Sequence, residues 1–182
     1  MKAVVQRVVD ASVAVNGVVK GAIQRGLLVY LGVAVDDKEK DADWLAEKIA
    51  NLRIFEDQDG KMNLSLLDVV NQSPGSEKLK VRENVVHSSL FTLHSSFVIG
   101  VLAISQFTLL GDARKGRRPS WNGAAPPEKA RELYIYFMEK IREHGLVCES
   151  GEFQAHMDVT YTNDGPVTII LNSGDIREKR EE

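Results

Sequence analysis

Ala3-Val4-Val5-Gln6-Arg7-Val8-Val9-Asp10-Ala11-Ser12-Val13-Ala14-Val15-Asn16-Gly17-Val18-Val19 decides the fold class, because it reads as sheet almost from the first residue. Ala3 to Val9 and Ser12 to Val19 predict two strands, and Asn16-Gly17 between apolar runs is the signature of a tight hairpin. Leu27 to Val35, Leu-Leu-Val-Tyr-Leu-Gly-Val-Ala-Val, is apolar without alternation and predicts a strand covered on both faces. Asp36 or Asp37 is the expected cap of a helix whose Ala42, Leu45, Ile49 and Leu52 form one apolar stripe, with Trp44 at its edge. Gln58 to Gly60 reads as a turn. Val98 to Leu110 predicts the next strand, polar only near its end. Pro126-Pro127-Glu128 opens a second helix, with Ala130, Leu133, Tyr134, Phe137 and Ile141 toward the core and Gly145 as its stop. Phe153 to Tyr161 and Val167 to Leu171 predict closing strands joined by a Gly165-Pro166 turn. The sum is an α/β chain with mixed, largely antiparallel sheets, layered or barrel-like, and two main helices.

At 182 residues with 43% hydrophobic content, the chain suits one domain with a substantial core. Val70 to Phe97 differs in character: it is serine-rich, carries Pro74-Gly75 and several charges, and resists assignment, so it is read as an insertion within 1–182. Its His87 and His94 read as solvated, with no carboxylate or cysteine at ligand spacing. Arg177 to Glu182 is expected to fray. A net charge of -3 argues against a globally basic nucleic-acid binder, so contact with RNA must use a local patch, and DNA is not an expected partner. The single cysteine, Cys148, allows no internal disulfide or thiolate cluster and reads as a packed residue. The N-terminus, Met1 to Arg7, lacks the long apolar run of a signal peptide, and no apolar stretch is long enough to span a bilayer, so a cytoplasmic chain is expected, with no membrane partner.

Hydrolytic and nucleotide-binding motifs are missing: there is no Gly-x-Ser-x-Gly elbow, no His-Glu-x-x-His and no phosphate-cradling glycine loop. No metal or cofactor is expected. What remains is polar chemistry in three places. Ser105-Gln106-Phe107-Thr108 ends the buried strand, where hydroxyls and an amide either satisfy the strand's own edge or serve a site. Arg114, Lys115, Arg117 and Arg118, followed by Trp121, form a basic loop that is either merely solvated or able to neutralise phosphates while an aromatic ring stacks on a base. Gly165-Pro166 is the third. Taken alone it reads as a trans turn, since only about 5–6% of X-Pro bonds in folded proteins are cis.

Several motifs in order carry more than any one of them: Met1-Lys2-Ala3-Val4-Val5-Gln6-Arg7-Val8, Asn51-Leu52-Arg53-Ile54-Phe55-Glu56-Asp57, Ser105-Gln106-Phe107-Thr108-Leu109, Arg117-Arg118-Pro119-Ser120 with Gly123-Ala124-Ala125-Pro126-Pro127, and Asn163-Asp164-Gly165-Pro166-Val167-Thr168. Together these resemble the D-aminoacyl-tRNA deacylases over nearly all of Met1 to Val69 and Val98 to Leu171. The resemblance implies hydrolysis of the ester joining a D-amino acid, or glycine mischarged on tRNA(Ala), to the terminal ribose of tRNA, by a homodimer. It implies a catalytic segment at Ser105, Gln106, Phe107 and Thr108. It also implies that Gly165 and Pro166, joined by a cis bond and inserted into the partner's site, capture the substrate ammonium and exclude L-residues, with Arg7 bracing them. Phe107, Ala124 and Ala125 are implied near the terminal adenosine, and Arg117 and Arg118 near tRNA phosphates. Thr108 stands without an activating histidine in a matching motif, so attack by water is favoured over a threonine nucleophile, and the resemblance implies help from the substrate's own 2′-hydroxyl. The rival readings are a module that binds tRNA ends without hydrolysis and a related deacylase removing L-alanine. The second departs from this chain at both the Ser-Gln-Phe-Thr and the Gly-Pro motifs.

Overall fold

The computed structural model describes residues 1–73 and 98–175; the expected insertion from residue 74 onward, with His87 and His94, and the Arg177 to Glu182 tail lie outside the described residues. The chain opens on one long strand rather than two. β1 (Lys2–Val15) runs through the expected break, and Asn16 and Gly17, at φ 51° and 77°, turn it into β2 (Val18–Ile23). The hairpin expected from Asn-Gly is present, and the second predicted strand straddles its turn. β3 (Gly26–Gly32) pairs antiparallel with the first half of β1, while β2 pairs with its second half. The other edge of β1 pairs along its whole length with β8 (Asp158–Asn172).

β6 (Gly100–Ser105) joins β3 in parallel, and β7 (Val147–Ser150) joins β6 in parallel. The curved sheet comes back on itself at Gly21 of β2, where a Cβ would stand 2.6 Å from the Ser150 carbonyl oxygen. The result is a nearly closed, barrel-like sheet. Its two faces explain the unbroken apolar run of β3. Leu27, Val29 and Leu31 join the larger core on one side, whereas Leu28 joins Val8, Val13, Leu102 and Ile104 on the other.

The larger core is covered by α1 (Glu39–Ala50) and α3 (Pro127–Glu143). The expected stripe residues Leu45, Ile49, Phe137 and Ile141 are fully enclosed, and Trp44 packs at the edge. The N-cap of α1 is Lys38, one residue beyond Asp37 and two beyond Asp36. Asp37 is buried instead against the Met1 amino group, 2.5 Å from Oδ1, and accepts from the Ala34 N–H at 2.6 Å, while Lys38 donates its N–H to Asp41. β4 (Phe55–Glu56) and β5 (Met62–Leu64) flank the expected turn, with Gly60 at φ 73°. A further helix, α2 (Leu66–Gln72), was not expected: Ser65 and Asp68 cap it reciprocally, Asp68 N–H to Ser65 Oγ at 3.2 Å and Ser65 N–H to Asp68 at 2.8 Å. Pro127 opens α3, and Gly145, at φ 81°, follows its end. Among the described residues no helix is long and apolar enough to cross a membrane.

Two strand expectations need correction. Val98 to Leu110 is not one strand. β6 stops at Ser105, the Gln106 N–H still donates to the Leu31 carbonyl at 2.8 Å, and Phe107 to Leu110 then wind into a 3-10 turn. Nor does Gly165-Pro166 join two strands. β8 is continuous across it, and the region from Phe153 to Met157 that was expected to be strand is loop.

Candidate active site

The cavity of interest has a volume of about 550 Å³ and opens where the parallel strands β3 and β6 end, the side on which such sheets commonly hold ligands. Leu31 and Ile104 come from those strands, Tyr134 from α3, and Phe153 and Met157 from the segment leading into β8. The walls are therefore mainly apolar. Tyr134 keeps its hydroxyl occupied on the Ala103 carbonyl at 2.8 Å, and burial raises its pKa above the ordinary phenol value, so it is a neutral wall. Its ring lies 5.9 Å from that of Phe153.

Ser105, Gln106 and Phe107 line this cavity, as do Ala124 and Ala125 opposite. The last two are held by a backbone clamp: the Ala125 N–H donates to the Val33 carbonyl at 2.9 Å, and Ala34 bridges Ala124. Thr108 does not line the cavity. It is exposed, and its hydroxyl accepts a hydrogen bond from the Gln106 side-chain amide. Because the Gln106 N–H is spent on Leu31, the donors left at this corner are the Phe107 and Thr108 N–H groups, first in the 3-10 turn and without a hydrogen bond among the described residues. His156 stands on the cavity rim with Nε2 3.7 Å from Asp158, a residue to which no local motif pointed.

Gly165 and Pro166 lie elsewhere. Their bond is cis, both residues are exposed, and neither lines the cavity. The register of β8 on β1 explains their exposure: Thr168 pairs Gln6 and Asn163 pairs Val8, so Asp164, Gly165, Pro166 and Val167 stand opposite Arg7 alone. The four residues bulge outward over one. Arg7, only 4% exposed, fills the space beneath. Its Nη1 donates to the Ile54 carbonyl at 2.6 Å, Glu56 lies 3.8 Å from Nη2, and Nε stands 2.9 Å from Asp164 Oδ2 off the N–H axis, an ion pair rather than a hydrogen bond. Asn163 clips the two ends of the bulge, donating to the carbonyls of Arg7 at 2.9 Å and Val167 at 3.1 Å. Gly165 at φ 114° has no room for a side chain, since a Cβ would stand 2.9 Å from Val167 Cγ2 and 3.1 Å from Arg7 Nη2.

The basic loop is a closed one. Asp112 and Ser120 exchange backbone hydrogen bonds at 2.8 and 3.0 Å, and Arg114 folds back onto Asp112. The side-chain and backbone N–H groups of Arg114 hold the Asp112 carboxyl well below the usual carboxylate range. This contact is therefore present at neutral pH and is lost only on strong acidification. Arg114 is thus compensated, while Lys115, Arg117 and Arg118 make no ion pair among the described residues. Cys148 is 5% exposed and burial pushes its thiol up to about 12, which makes it an inert packed residue as expected.

Comparison with known proteins agrees over almost the whole chain. The family model for D-Tyr-tRNA(Tyr) deacylase matches residues 4–93 and 78–172, two spans that overlap inside the segment read as an insertion. D-aminoacyl-tRNA deacylases of Koribacter versatilis and Thermotoga petrophila are 53% and 49% identical to it over 173 residues, 95% of this chain and 97% of each relative. Among solved structures, a c-Myc DNA unwinding element binding protein superposes with a TM-score of 0.73 at 38% identity, covering 94% of this chain and 98% of that one. A second, described as a probable eukaryotic D-amino acid tRNA deacylase, has a TM-score of 0.68 at 15% identity over 93% and 97% of the two chains, and shares the fold.

Proposed function

This chain belongs to the D-Tyr-tRNA(Tyr) deacylase family, and from that premise we propose how it carries out D-aminoacyl-tRNA deacylation and divides the work between two places. The reaction is hydrolysis of the ester between the aminoacyl carbonyl and the terminal ribose. Water oxygen adds to the carbonyl carbon, the ribose oxygen leaves with a proton, and free D-amino acid and tRNA result. Glycine on tRNA(Ala) lacks a side chain and is accepted by the same geometry. The cavity at the end of β6 takes the aminoacyl-adenosine end, with Phe107 against the terminal adenine and Ala124 and Ala125 along its wall. Ser105 and Gln106 line the floor of the reacting centre.

The aminoacyl ester is already activated, so stabilising the oxyanion is the main task left to the protein. The Phe107 N–H, on a residue that lines the cavity and without a hydrogen bond among the described residues, suits it, and one such donor contributes about 2.7–4 kcal/mol in well-studied cases. Thr108 orients rather than attacks: its hydroxyl is bonded to Gln106, lies outside the cavity lining and has no activating base bonded to it among the described residues. The nearby 2′-hydroxyl of the substrate assists the water.

One observation carries the division of labour. The Gly165-Pro166 bulge is rigidly braced by Arg7 yet does not line the cavity of its own chain. A protrusion built in this way serves a second copy, in a homodimer where each bulge closes the partner's cavity. Its carbonyls take the substrate ammonium, and its backbone occupies the side on which an L-residue projects, so selectivity comes from exclusion. The reading is tested by release of D-tyrosine from D-tyrosyl-tRNA against L-tyrosyl-tRNA. Thr108→Ala should keep measurable turnover, losing about tenfold at most as a positioning group; complete loss with substrate still bound would make Thr108 the nucleophile.

A further inference from the structure

Trp121 has no part in the scheme above. Its indole meets Phe107 edge to face, with ring centroids 5.8 Å apart and planes at 62°, and the two rings are left 38% and 58% exposed. Phe107 lines the cavity and Trp121 does not, so the indole extends the aromatic surface outward from the cavity mouth. It is firmly seated. The Ala124 N–H donates to the Trp121 carbonyl at 2.9 Å, and the Val35 N–H to the Gly123 carbonyl at 3.1 Å, which tie the residue to the same wall that carries Ala124 and Ala125. Gly111 leaves space for the ring, since a Cβ there would stand 3.2 Å from the indole Nε1. The loop that ends at this tryptophan carries Lys115, Arg117 and Arg118, exposed and unpaired among the described residues.

Exposed rings fixed beside uncompensated cations are the elements by which single-stranded nucleic acid is held, bases on rings and phosphates on cations. We propose that Trp121 is the stacking platform for the penultimate base of the tRNA acceptor end, one nucleotide before the adenine assigned to Phe107. This rests on the deacylase reading. The 62° angle between the rings prevents two consecutive bases from forming one continuous stack. The strand therefore turns between them, the terminal base entering the cavity and the preceding base lying outside on the indole. Lys115, Arg117 and Arg118 meet the phosphates at and before that turn.

The test compares two substrates, D-tyrosyl-tRNA and D-tyrosyl-adenosine, which has no penultimate nucleotide. Stacking contributes about 1–3 kcal/mol per base, so Trp121→Ala should raise KM for D-tyrosyl-tRNA about tenfold with kcat within about twofold, and Trp121→Phe should restore most of it. Neither variant should alter kcat/KM for D-tyrosyl-adenosine. Equal losses on both substrates would show that Trp121 merely props Phe107, and no change on either would show that it is unused; each result overturns the proposal. A wild-type chain that hydrolyses neither substrate sinks the deacylase reading instead. The proposal is then decided by fluorescence in a Trp44→Phe background titrated with a CCA trinucleotide, where quenching of Trp121 supports it and an unchanged signal overturns it.

Discussion

The cavity beside β6 and the bulge on β8 are opposites in almost every physical respect. The cavity is concave, walled by Leu31, Ile104, Tyr134 and Phe153, and its polar side chains are few, with an exposed histidine at the rim. The bulge is convex and exposed, and beneath it lies a buried guanidinium with two carboxylates around it. An apolar cavity can hold an aminoacyl-adenosine but has little in it to tell one hand from the other. A backbone protrusion that cannot yield can do so, provided something buried keeps it from yielding. On the proposed reading, holding and rejecting are built from different materials and set in different parts of the chain.

Gly165→Ala is the harshest way to break this contrast. The added Cβ meets Val167 and Arg7 in a backbone region that alanine rarely enters, so the bulge must shift. Displacing a positioning element by an ångström can cost about 100-fold, and kcat/KM for D-tyrosyl-tRNA should fall by that order while the fold, followed by circular dichroism, persists. Near-normal kinetics would detach the bulge from the site.

Arg7→Met keeps much of the volume but leaves the Ile54 carbonyl without its donor and Asp164 without its cation. The unsatisfied carbonyl should cost about 2 kcal/mol, seen as a fall in Tm of several degrees. Preference for D- over L-tyrosyl-tRNA should erode further than D-activity does. If selectivity survives the loss of stability, Arg7 supports the sheet and not the gate. Smaller still is the effect of Arg117→Gln with Arg118→Gln, which leaves both regions intact. It should reduce the slope of log KM against log salt by about 0.7 per phosphate contact removed, and an unchanged slope would return the loop to ordinary solvation.

Local chemistry was legible in the sequence, and long-range pairing was not. Asn16-Gly17 announces its hairpin because the required positive φ is a property of those two residues, and Leu27 to Leu31 announces burial on both faces by lacking alternation. The Ser105 to Phe107 corner was found because polar residues end an apolar run. Ser65-Leu66-Leu67-Asp68 carries a capping box, a local signal that makes even the short α2 legible in the sequence. By contrast, Gly165-Pro166 reads as a turn because nothing nearby reveals that it sits opposite Arg7 in another strand. The same blindness hid β7, four residues long and paired only through β6, and it hid the contact that turns Trp121 toward Phe107. That Thr108 lies outside the cavity follows from a 3-10 turn where the sequence suggested more strand.

The central claim is that cavity and bulge from different subunits make one site, and subunit mixing tests it most directly. One partner carries Gly165→Ala with an intact cavity; the other carries Gln106→Ala and Phe107→Ala with an intact bulge; each alone should be nearly inactive on D-tyrosyl-tRNA. Random exchange in a two-fold dimer makes half the dimers mixed, each with one complete site, so activity should return to about one quarter of wild type. If bulge and cavity of the same chain work together, mixing restores nothing.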